Sequence, residues 1–331
     1  MKIFYMILIS IVYMLNLISF AEASCGSSNC FLHTGSQEGT TGKGSFVVDL
    51  SYRYIPQENK KSGSSGTSEV LVPKVDFANK EIEADHHREL KTINKLAQLD
   101  LSYGLTEKIT LSLNIPFFND RLHEHDDGVT SANPDGEFTN QDGSTGFGDV
   151  TLVAKYALLQ TTKHLFVGGA GVKFASGEYE LNNSEGNINE PTLMPGTGSY
   201  DGIISGLYNF SFIPNRLNLF ASLSHRFTTE NSLDYLFGDS TFVDGGVNYT
   251  LTDKVNVSAQ INARIAGRDK YLDADVPSTG GEFVFFTPGV RLTASQNLSI
   301  YSHVQIPIHQ RVNEDNLVAD YGFLMGLSYG F

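Results

Sequence analysis

Apolar side chains recur at every second position in many separate segments between residues 45 and 331. In residues 45–55 the even positions carry Phe, Val, Leu, Tyr and Tyr, whereas the odd positions include Asp, Ser and Arg. Strict alternation places one set on each face of a β-strand. This pattern predicts an all-β protein of about twelve strands, each about ten residues long. The alternating segments are residues 45–55, 93–103, 109–117, 149–158, 165–174, 201–210, 217–227, 242–251, 255–265, 283–292, 298–308 and 317–331.

Short and long connections alternate between these segments. The short ones are residues 104–108, 159–164, 211–216, 252–254 and 293–297. The longer ones are residues 56–92, 118–148, 175–200, 228–241, 266–282 and 309–316. A transmembrane β-barrel has short turns at its periplasmic end and long loops outside, and a tilted strand of about ten residues crosses the bilayer.

Closure of the sheet follows from the chemistry of lipid. Lipid cannot hydrogen-bond to a backbone, so an open sheet edge is excluded and the first and last strands must pair. We therefore expect residues 45–331 to form a transmembrane antiparallel up-and-down β-barrel of about twelve strands with long extracellular loops. The alternative is a secreted β-sandwich, which rarely combines uniform strand length with regular alternation of loop length.

The N-terminal residues resemble an export signal. Lys2 is followed by an apolar run over residues 3–20 and then by Ala21-Glu22-Ala23. A basic start, an apolar stretch and a small-residue site are typical of a Sec-type signal peptide. We expect cleavage after Ala23, which removes residues 1–23 and leaves a periplasmic N-terminal segment, residues 24–44. A retained membrane anchor and lipid attachment at Cys25 are the alternatives.

The two cysteines, Cys25 and Cys30, follow this signal closely. In the periplasm a local disulfide between them is the default expectation. Together with the predicted barrel, the signal predicts that the protein resides in the outer membrane of a Gram-negative cell.

The last predicted strand ends on an aromatic residue. Phe323, Met325, Leu327, Tyr329 and Phe331 share one face of it. Outer-membrane barrels commonly end this way, so Tyr329 and Phe331 are interpreted as a signal for the barrel-assembly machinery. The other expected partners are the lipid bilayer and a small solute. Nucleic acid is not expected, because 23 basic against 37 acidic residues leave no basic footprint.

The polar face of the strands points into the barrel and carries charges of both signs. We expect a cationic arc at the outer mouth, with carboxylates interleaved at a similar depth, which together can orient a small polar solute. The arc comprises Arg53, Lys173, Arg226 and Arg264, and the carboxylates are Asp149, Asp201 and Asp244. The alternative is that these charges only pair with one another and plug a narrow barrel.

Several histidines are candidates for chemical sites. His86-His87 and His123-x-His125 fall in the predicted loops 56–92 and 118–148, and their spacing matches no strong metal template. They are interpreted as parts of solvated loops, so no metal and no cofactor is expected. His225 has the parity of the lipid face but lacks the Ser two residues later that outer-membrane phospholipases use. No catalytic set has credible spacing, so an enzyme is not expected.

Two glycine-containing motifs carry a resemblance to a known family. Gly146-Phe147-Gly148-Asp149-Val150-Thr151-Leu152 and Pro195-Gly196-Thr197-Gly198-Ser199-Tyr200-Asp201 are similar to segments of outer-membrane barrels assigned to the MetA-pathway of phenol degradation. Ser176-Gly177-Glu178-Tyr179 fits the same pattern, and the resemblance covers roughly residues 90–331. It implies an outer-membrane barrel and a transport role more than any particular chemistry.

These observations favour a channel for the passive uptake or efflux of a small solute, aromatic solutes included. One alternative is a non-conducting structural or interaction barrel whose acidic loops bind a cation or a partner. Another is a barrel-type enzyme that acts on lipid.

Overall fold

The computed structural model describes residues 39–129, 133–140 and 142–331. The expected signal peptide (residues 1–23) and the expected disulfide between Cys25 and Cys30 lie outside the described residues. Within the described ranges the one helix is the 3₁₀ turn Pro191–Leu193, and no helix is long and apolar enough to cross a membrane.

Twelve long strands make up the main sheet. In chain order they are β1 (Phe46–Gln57), β2 (Glu81–Gly104), β3 (Ile109–Asp127), β4 (Thr151–Gln160), β5 (His164–Lys173), β6 (Asp201–Ile213), β7 (Leu217–Phe227), β8 (Ser240–Thr252), β9 (Val255–Ala266), β10 (Gly281–Thr293), β11 (Leu298–Val312) and β12 (Gly322–Gly330).

The sheet closes on itself. Each strand pairs antiparallel with its neighbours in chain order, and β1 pairs with β12 as well as with β2. At the seam Leu50 faces Leu327 and Tyr54 faces Phe323. The predicted transmembrane antiparallel up-and-down barrel of twelve strands is therefore confirmed, and every backbone edge of the ring has a partner.

The two faces of the wall differ in chemistry, as β4 illustrates. Leu152 and Tyr156 point outward and are 39% and 45% exposed, whereas Val153 and Ala157 point inward and are buried. Around the barrel the outward side chains are mostly large and apolar, and many inward ones are polar or charged. An apolar outer surface suits lipid and a polar interior suits water.

Strands β2 and β3 extend well beyond the membrane. They contain 24 and 19 residues, so the expectation that residues 56–92 and 118–148 are loops is wrong for residues 81–92 and 118–127. The outward faces of these extensions carry ion pairs, such as Arg88–Asp126 at 2.6 Å. Charged outward side chains show that this part of the hairpin lies in water, above the lipid.

One extra residue in each extension breaks the alternation. In β2 the extra residue is Leu90, which lies between the paired residues Glu89 and Lys91. In β3 the extra residue is Phe117. A β-bulge of this kind reverses which positions face inward. Below the bulges the even positions of both strands are buried, and above them the odd positions are buried.

The connections between the barrel strands add small sheets around the mouth. Their strands are Asn59–Ser62, Ser65–Gly66, Leu71–Asp76, Glu137–Thr139, Ser144–Gly146, Tyr235–Leu236, Lys270–Tyr271, Ala274–Asp275 and Asp315–Val318. At the opposite end, residues 39–44 lie against the barrel wall: the Thr41 backbone N–H donates to Thr110 Oγ1 at 2.8 Å, and Gly39 lines an interior cavity.

Candidate functional site

A buried lysine stands at the centre of the outer mouth. Lys173, the last residue of β5, has its Nζ 2.9 Å from Asp149 Oδ2 and 3.0 Å from Asp201 Oδ2. It also donates to the Thr197 hydroxyl and, at 3.3 Å, to Ser199 Oγ. Lys173 and Asp201 face each other across the β5–β6 ladder, so strand pairing itself brings the two charges together.

Two arginines lie beside this ion pair. Arg226 from β7 and Arg264 from β9 line the same cavity of about 70 Å³ as Lys173, Asp149 and Asp201. Arg226 interacts electrostatically with both carboxylates and with Arg264. The sequence predicted these five residues at a similar depth in the outer mouth, and the structure brings them together around one cavity.

Arg121 is a further member that sequence reasoning missed. It comes from β3, above the bulge, and lines the same cavity. Its guanidinium donates to the Thr192 carbonyl. Burial, together with the nearby charge of Arg264, lowers the pKa of Arg121 to about 10. Its inward position could not be read from the sequence, because the bulge reverses the parity of β3.

Two of the named residues lie elsewhere on the interior wall. Asp244 accepts hydrogen bonds from Ser222 (2.9 Å) and Asn262 (2.8 Å) and lines a separate cavity nearer the middle of the barrel. Arg53 lies on β1, opposite Leu96, and interacts with Asp100. Of the seven residues expected at the mouth, four in the arc and three interleaved carboxylates, five therefore form one cluster and two lie at other positions.

The connection between β5 and β6, residues 174–200, folds into the mouth and is called the inward segment. Asn119 Nδ2 holds the Pro195 carbonyl at 2.7 Å, and the Thr197 N–H donates to Asp149 Oδ2 at 2.9 Å. Leu193 and Met194 are buried, at 5% and 3% exposure. The inward segment therefore narrows the opening of the barrel.

Glycines of the family-like motifs at residues 176–179 and 195–201 allow this packing. A Cβ atom added at Gly196 would lie 2.6 Å from the backbone of Gly177, so the two chain segments touch backbone to backbone. Gly198 has φ = +70°, and a Cβ there would lie 2.5 Å from the ring of Tyr179. Only glycine fits such a close approach at a positive φ.

Two more cavities follow inside the barrel below the mouth. One of about 90 Å³ is lined by Ser112, Asn114, Lys155 and Asp244 among others. The next, of about 170 Å³, is nearer the periplasmic turns, and its lining includes Asn218, Asn248, Asn256, Arg291 and His303. The interior is therefore a row of cavities from the mouth towards the periplasmic end, each lined in part by polar or charged side chains.

The remaining named positions lie on the outer surface. Tyr329 and Phe331 are 40% and 70% exposed, and the Phe331 ring packs 6.0 Å from Phe46 and 4.7 Å from Tyr329. His225 accepts or donates a hydrogen bond to Thr241 at 2.8 Å and lies 4.4 Å, ring to ring, from Phe227. These aromatic and polar contacts suit side chains at a membrane interface.

Four side chains above the bulges form what we call the buried His–Glu group: His87, Glu89, His123 and Glu190. The sequence analysis placed these histidines in solvated loops, and this is wrong, because His87 and His123 are each 1% exposed. Burial lowers the pKa of His87 to about 3 and that of His123 to about 4. Burial, with the nearby Glu89 carboxylate, raises the pKa of Glu190 well above its usual range.

Comparison with known proteins places this geometry in a family. The profile of a family described as "Putative MetA-pathway of phenol degradation" matches residues 81–313. No curated protein matches the chain. The COG4313 outer membrane channel from Pseudomonas putida F1 superposes with a TM-score of 0.59 at 11% identity, covering 88% of this chain and 97% of the channel.

Two other solved structures are more distant. The toluene transporter TodX of Pseudomonas putida has a TM-score of 0.42 at 10% identity, with 94% of this chain and 96% of TodX covered. A FadL homologue of Pseudomonas aeruginosa has a TM-score of 0.41 at 11% identity, with 87% and 90% covered. The likeness to the COG4313 channel shows the shared outer-membrane barrel fold, and by its match over residues 81–313 the chain belongs to the MetA-pathway of phenol degradation family.

Proposed function

We propose that this protein is a passive outer-membrane channel for small solutes that carry a polar or anionic group, aromatic ones included. The observation that carries the proposal is the row of cavities inside a closed barrel, which begins at the cluster of Lys173, Arg226 and Arg264. An interior lined by fixed charges of both signs is the arrangement by which pores select solutes. The COG4313 structure is itself described as an outer membrane channel, which supports the same role here.

Selection is proposed to occur at the mouth. The cations there outnumber the carboxylates, since Lys173, Arg226, Arg264 and Arg121 share one cavity with Asp149, Asp201 and Asp269. The excess positive charge attracts an anionic or electron-rich group, and the buried wall strengthens that attraction by excluding water. The inward segment sets the width of the path.

The export and assembly steps belong to the same proposal. The protein would reach the outer membrane after cleavage behind Ala23, and the machinery that inserts barrels would read the aromatic face that contains Tyr329 and Phe331.

Single-channel recording in planar lipid bilayers tests the proposal. Purified, folded protein is expected to give discrete current steps. Replacing residues 189–195 of the inward segment with a Gly/Ser linker of equal length should raise the conductance, because Leu193 and Met194 no longer fill the mouth. The matched control replaces residues 183–187, an outer turn closed by the Asn183 carbonyl and the Gly186 N–H, and should leave the conductance unchanged.

If neither the wild type nor the variant with the Gly/Ser linker at residues 189–195 conducts current, the channel proposal is refuted and a structural or interaction barrel is favoured. An absence of current accompanied by hydrolysis of the surrounding lipid would favour an enzyme.

A further inference from the structure

The buried His–Glu group draws its members from three parts of the chain. His87 and Glu89 come from β2, His123 comes from β3, and Glu190 comes from the inward segment. The bulges on β2 and β3 turn the first three toward the interior. Glu89 is 7% exposed, so carboxylate and imidazole groups meet in a site closed to bulk solvent.

The distances within the group are those expected for ligands of a shared ion. His87 Nε2 lies 3.4 Å from Glu89 Oε1 and 3.5 Å from Glu190 Oε1. These separations are longer than the usual hydrogen bond of about 2.9 Å. The edge of a tetrahedron around zinc, with bonds of about 2.1 Å, is about 3.4 Å.

Several atoms of the group lack a hydrogen-bond partner. Among the described residues, His87 Nε2, His123 Nε2 and Glu89 Oε2 are buried and make no hydrogen bond to the protein. Buried polar atoms are rarely left in that state, and an ion is one of the recognised explanations. Three such atoms within one cluster point to a ligand that the protein itself does not supply.

We propose that His87, Glu89, His123 and Glu190 bind a divalent transition-metal cation of the zinc class at the outer mouth. The ligand atoms of His87, Glu89 and His123 all lie within 4.8 Å of one another, close enough to share one ion. Two imidazoles with carboxylates favour zinc and its neighbours over Ca²⁺ and Mg²⁺, which prefer oxygen ligands alone.

The surroundings supply space beside the group and support for its ligands. A cavity of about 70 Å³ adjoins the group, and its lining includes Glu89, His123 and Glu190. Thr92 Oγ1 lies 2.9 Å from His123 Nδ1 and helps to orient that ring, while His123 Nε2 has no hydrogen-bond partner. A hydrogen bond on one ring nitrogen commonly positions a histidine that binds a metal through the other.

A neighbouring set of residues has an ordinary explanation and is not part of the site. His125 Nε2 lies 2.9 Å from Asp127 Oδ1, which is a normal hydrogen-bond length, and 3.4 Å from Asp142 Oδ2. A hydrogen bond already satisfies that nitrogen, whereas His87 Nε2 has none. The two sets are therefore alternative positions for one ion, which substitutions in each set can distinguish.

A metal here would connect β2, β3 and the inward segment, and this property can be measured without any transport assay. Untagged, EDTA-treated barrel in detergent micelles is titrated with Zn²⁺ by calorimetry and with Co²⁺ by visible absorption. We expect one tight site per chain and cobalt bands typical of four-coordinate geometry. Zn²⁺ should also raise the temperature at which the folded band disappears on SDS gels, since a ligand that binds only the folded state stabilises it.

Variants locate the site. His87→Ala and His123→Ala should each weaken Zn²⁺ binding by at least about tenfold, and Glu190→Gln should weaken it less. His309→Ala is the matched control, because His309 is 3.9 Å from Glu282 on an exposed part of β11, away from the group. Heat-modifiable migration of every variant establishes that it has folded.

Three results would overturn the proposal. The first is wild-type binding that is no tighter than that of folded His87→Ala. The second is equal weakening by His309→Ala. The third is weakening by His125→Ala and Asp142→Asn with His87→Ala unaffected, which would place the ion at the neighbouring set.

Discussion

Lys173 and Asp201 form a buried ion pair across two neighbouring strands, with Nζ 3.0 Å from Oδ2 and each side chain 2% exposed. Asp149 shares the same ammonium at 2.9 Å, so one cation offsets two carboxylates. Charges this far from water are stable only while they remain paired and hydrogen-bonded. The lysine therefore holds together β5, β6 and the residues that precede β4.

Removal of that cation should destabilise the barrel. Lys173→Met leaves Asp149 and Asp201 buried without their partner, and we expect a loss of about 3–5 kcal/mol in the free energy of unfolding. Urea unfolding of the barrel in lipid vesicles measures it. Lys163→Met, in an exposed turn, is the control. If the ion pair is responsible, adding Asp149→Asn and Asp201→Asn to Lys173→Met should recover much of the loss, and failure to recover any would contradict this account.

The arginines at the mouth should set ion selectivity. Replacing both Arg226 and Arg264 with Ala removes two positive charges from the cavity wall, so the permeability ratio should shift toward cations by about twofold or more. The reversal potential under a salt gradient reports the shift. Arg216→Ala is the control, because Arg216 lies in a periplasmic turn with its guanidinium 5.6 Å from the Tyr249 ring. An unchanged reversal potential in a conducting variant would mean that the arginines serve only in structural pairing.

A glycine on the last strand makes room for an interior tyrosine. A Cβ atom at Gly326 would lie 2.4 Å from the ring of Tyr301, whose hydroxyl donates to Asp49 Oδ1 at 2.6 Å. Gly326→Leu should displace that ring and cost about 1–3 kcal/mol, seen as a lower temperature of heat modification on SDS gels. Gly330→Ala has open space around the added atom and should be neutral. Equal behaviour of the two variants would show that Tyr301 is not tightly packed.

Acid should loosen one outer loop. Arg268 donates to both oxygens of Glu314, at 2.6 and 2.8 Å, and these bonds lower the pKa of Glu314 from its ordinary value near 4.5. A carboxylate whose pKa is lower in the folded than in the unfolded protein stabilises the fold at every pH above its unfolded-state pKa. That contribution is lost as the pH falls through the folded-state pKa. The pair is half exposed, so we expect less than about 1 kcal/mol.

The Ser278 amide reports this loosening, because it donates to Glu314 Oε2 at 2.9 Å. Its hydrogen-exchange protection factor, corrected for the intrinsic pH dependence, should fall as the pH drops below about 4.5. In Glu314→Gln the protection should be lower at neutral pH and should no longer depend on acid. Acid loosening that persists in Glu314→Gln would assign it to another group.

The proposed metal site should tolerate removal of the bulge residue of β2. Glu89 pairs with His125 and Lys91 pairs with Glu124, so deletion of Leu90 makes these two pairs consecutive. In the regular ladder that results, His87 and Glu89 still face inward, because the alternation continues from the inward-facing Thr92. We therefore expect the barrel to fold and Zn²⁺ affinity to stay close to that of the wild type. Deletion of Ser64, in an exposed turn, is the control for shortening the chain. Loss of Zn²⁺ binding in a folded variant without Leu90 would show that the extra residue itself positions these ligands.

The architecture could be predicted from the sequence because it depends on local and repetitive information. Alternation of apolar and polar residues determines which face of each strand meets lipid, and the alternation of connection lengths determines the topology. The parity rule also placed Lys173, Arg226 and Arg264 on the interior wall, since β5, β7 and β9 keep their alternation at the mouth. The pairing of β5 with β6 places Lys173 opposite Asp201. The sequence predicted only that these two residues lie at a similar depth.

The histidines could not be placed in this way, and the reason is geometric. His123 and His125 share odd numbers with the lipid-facing Ile109 and Leu111, and only the extra residue at Phe117 turns them inward. A single-residue bulge leaves no signature in composition, yet it reverses every side chain that follows. The sequence by itself therefore determined the barrel and much of its charged mouth. Only the tertiary structure decided that histidines and glutamates from distant parts of the chain meet in one buried site. Their meeting depends on the register of β2 and β3 and on the folding of the inward segment, because neither is encoded in the alternation of apolar and polar residues.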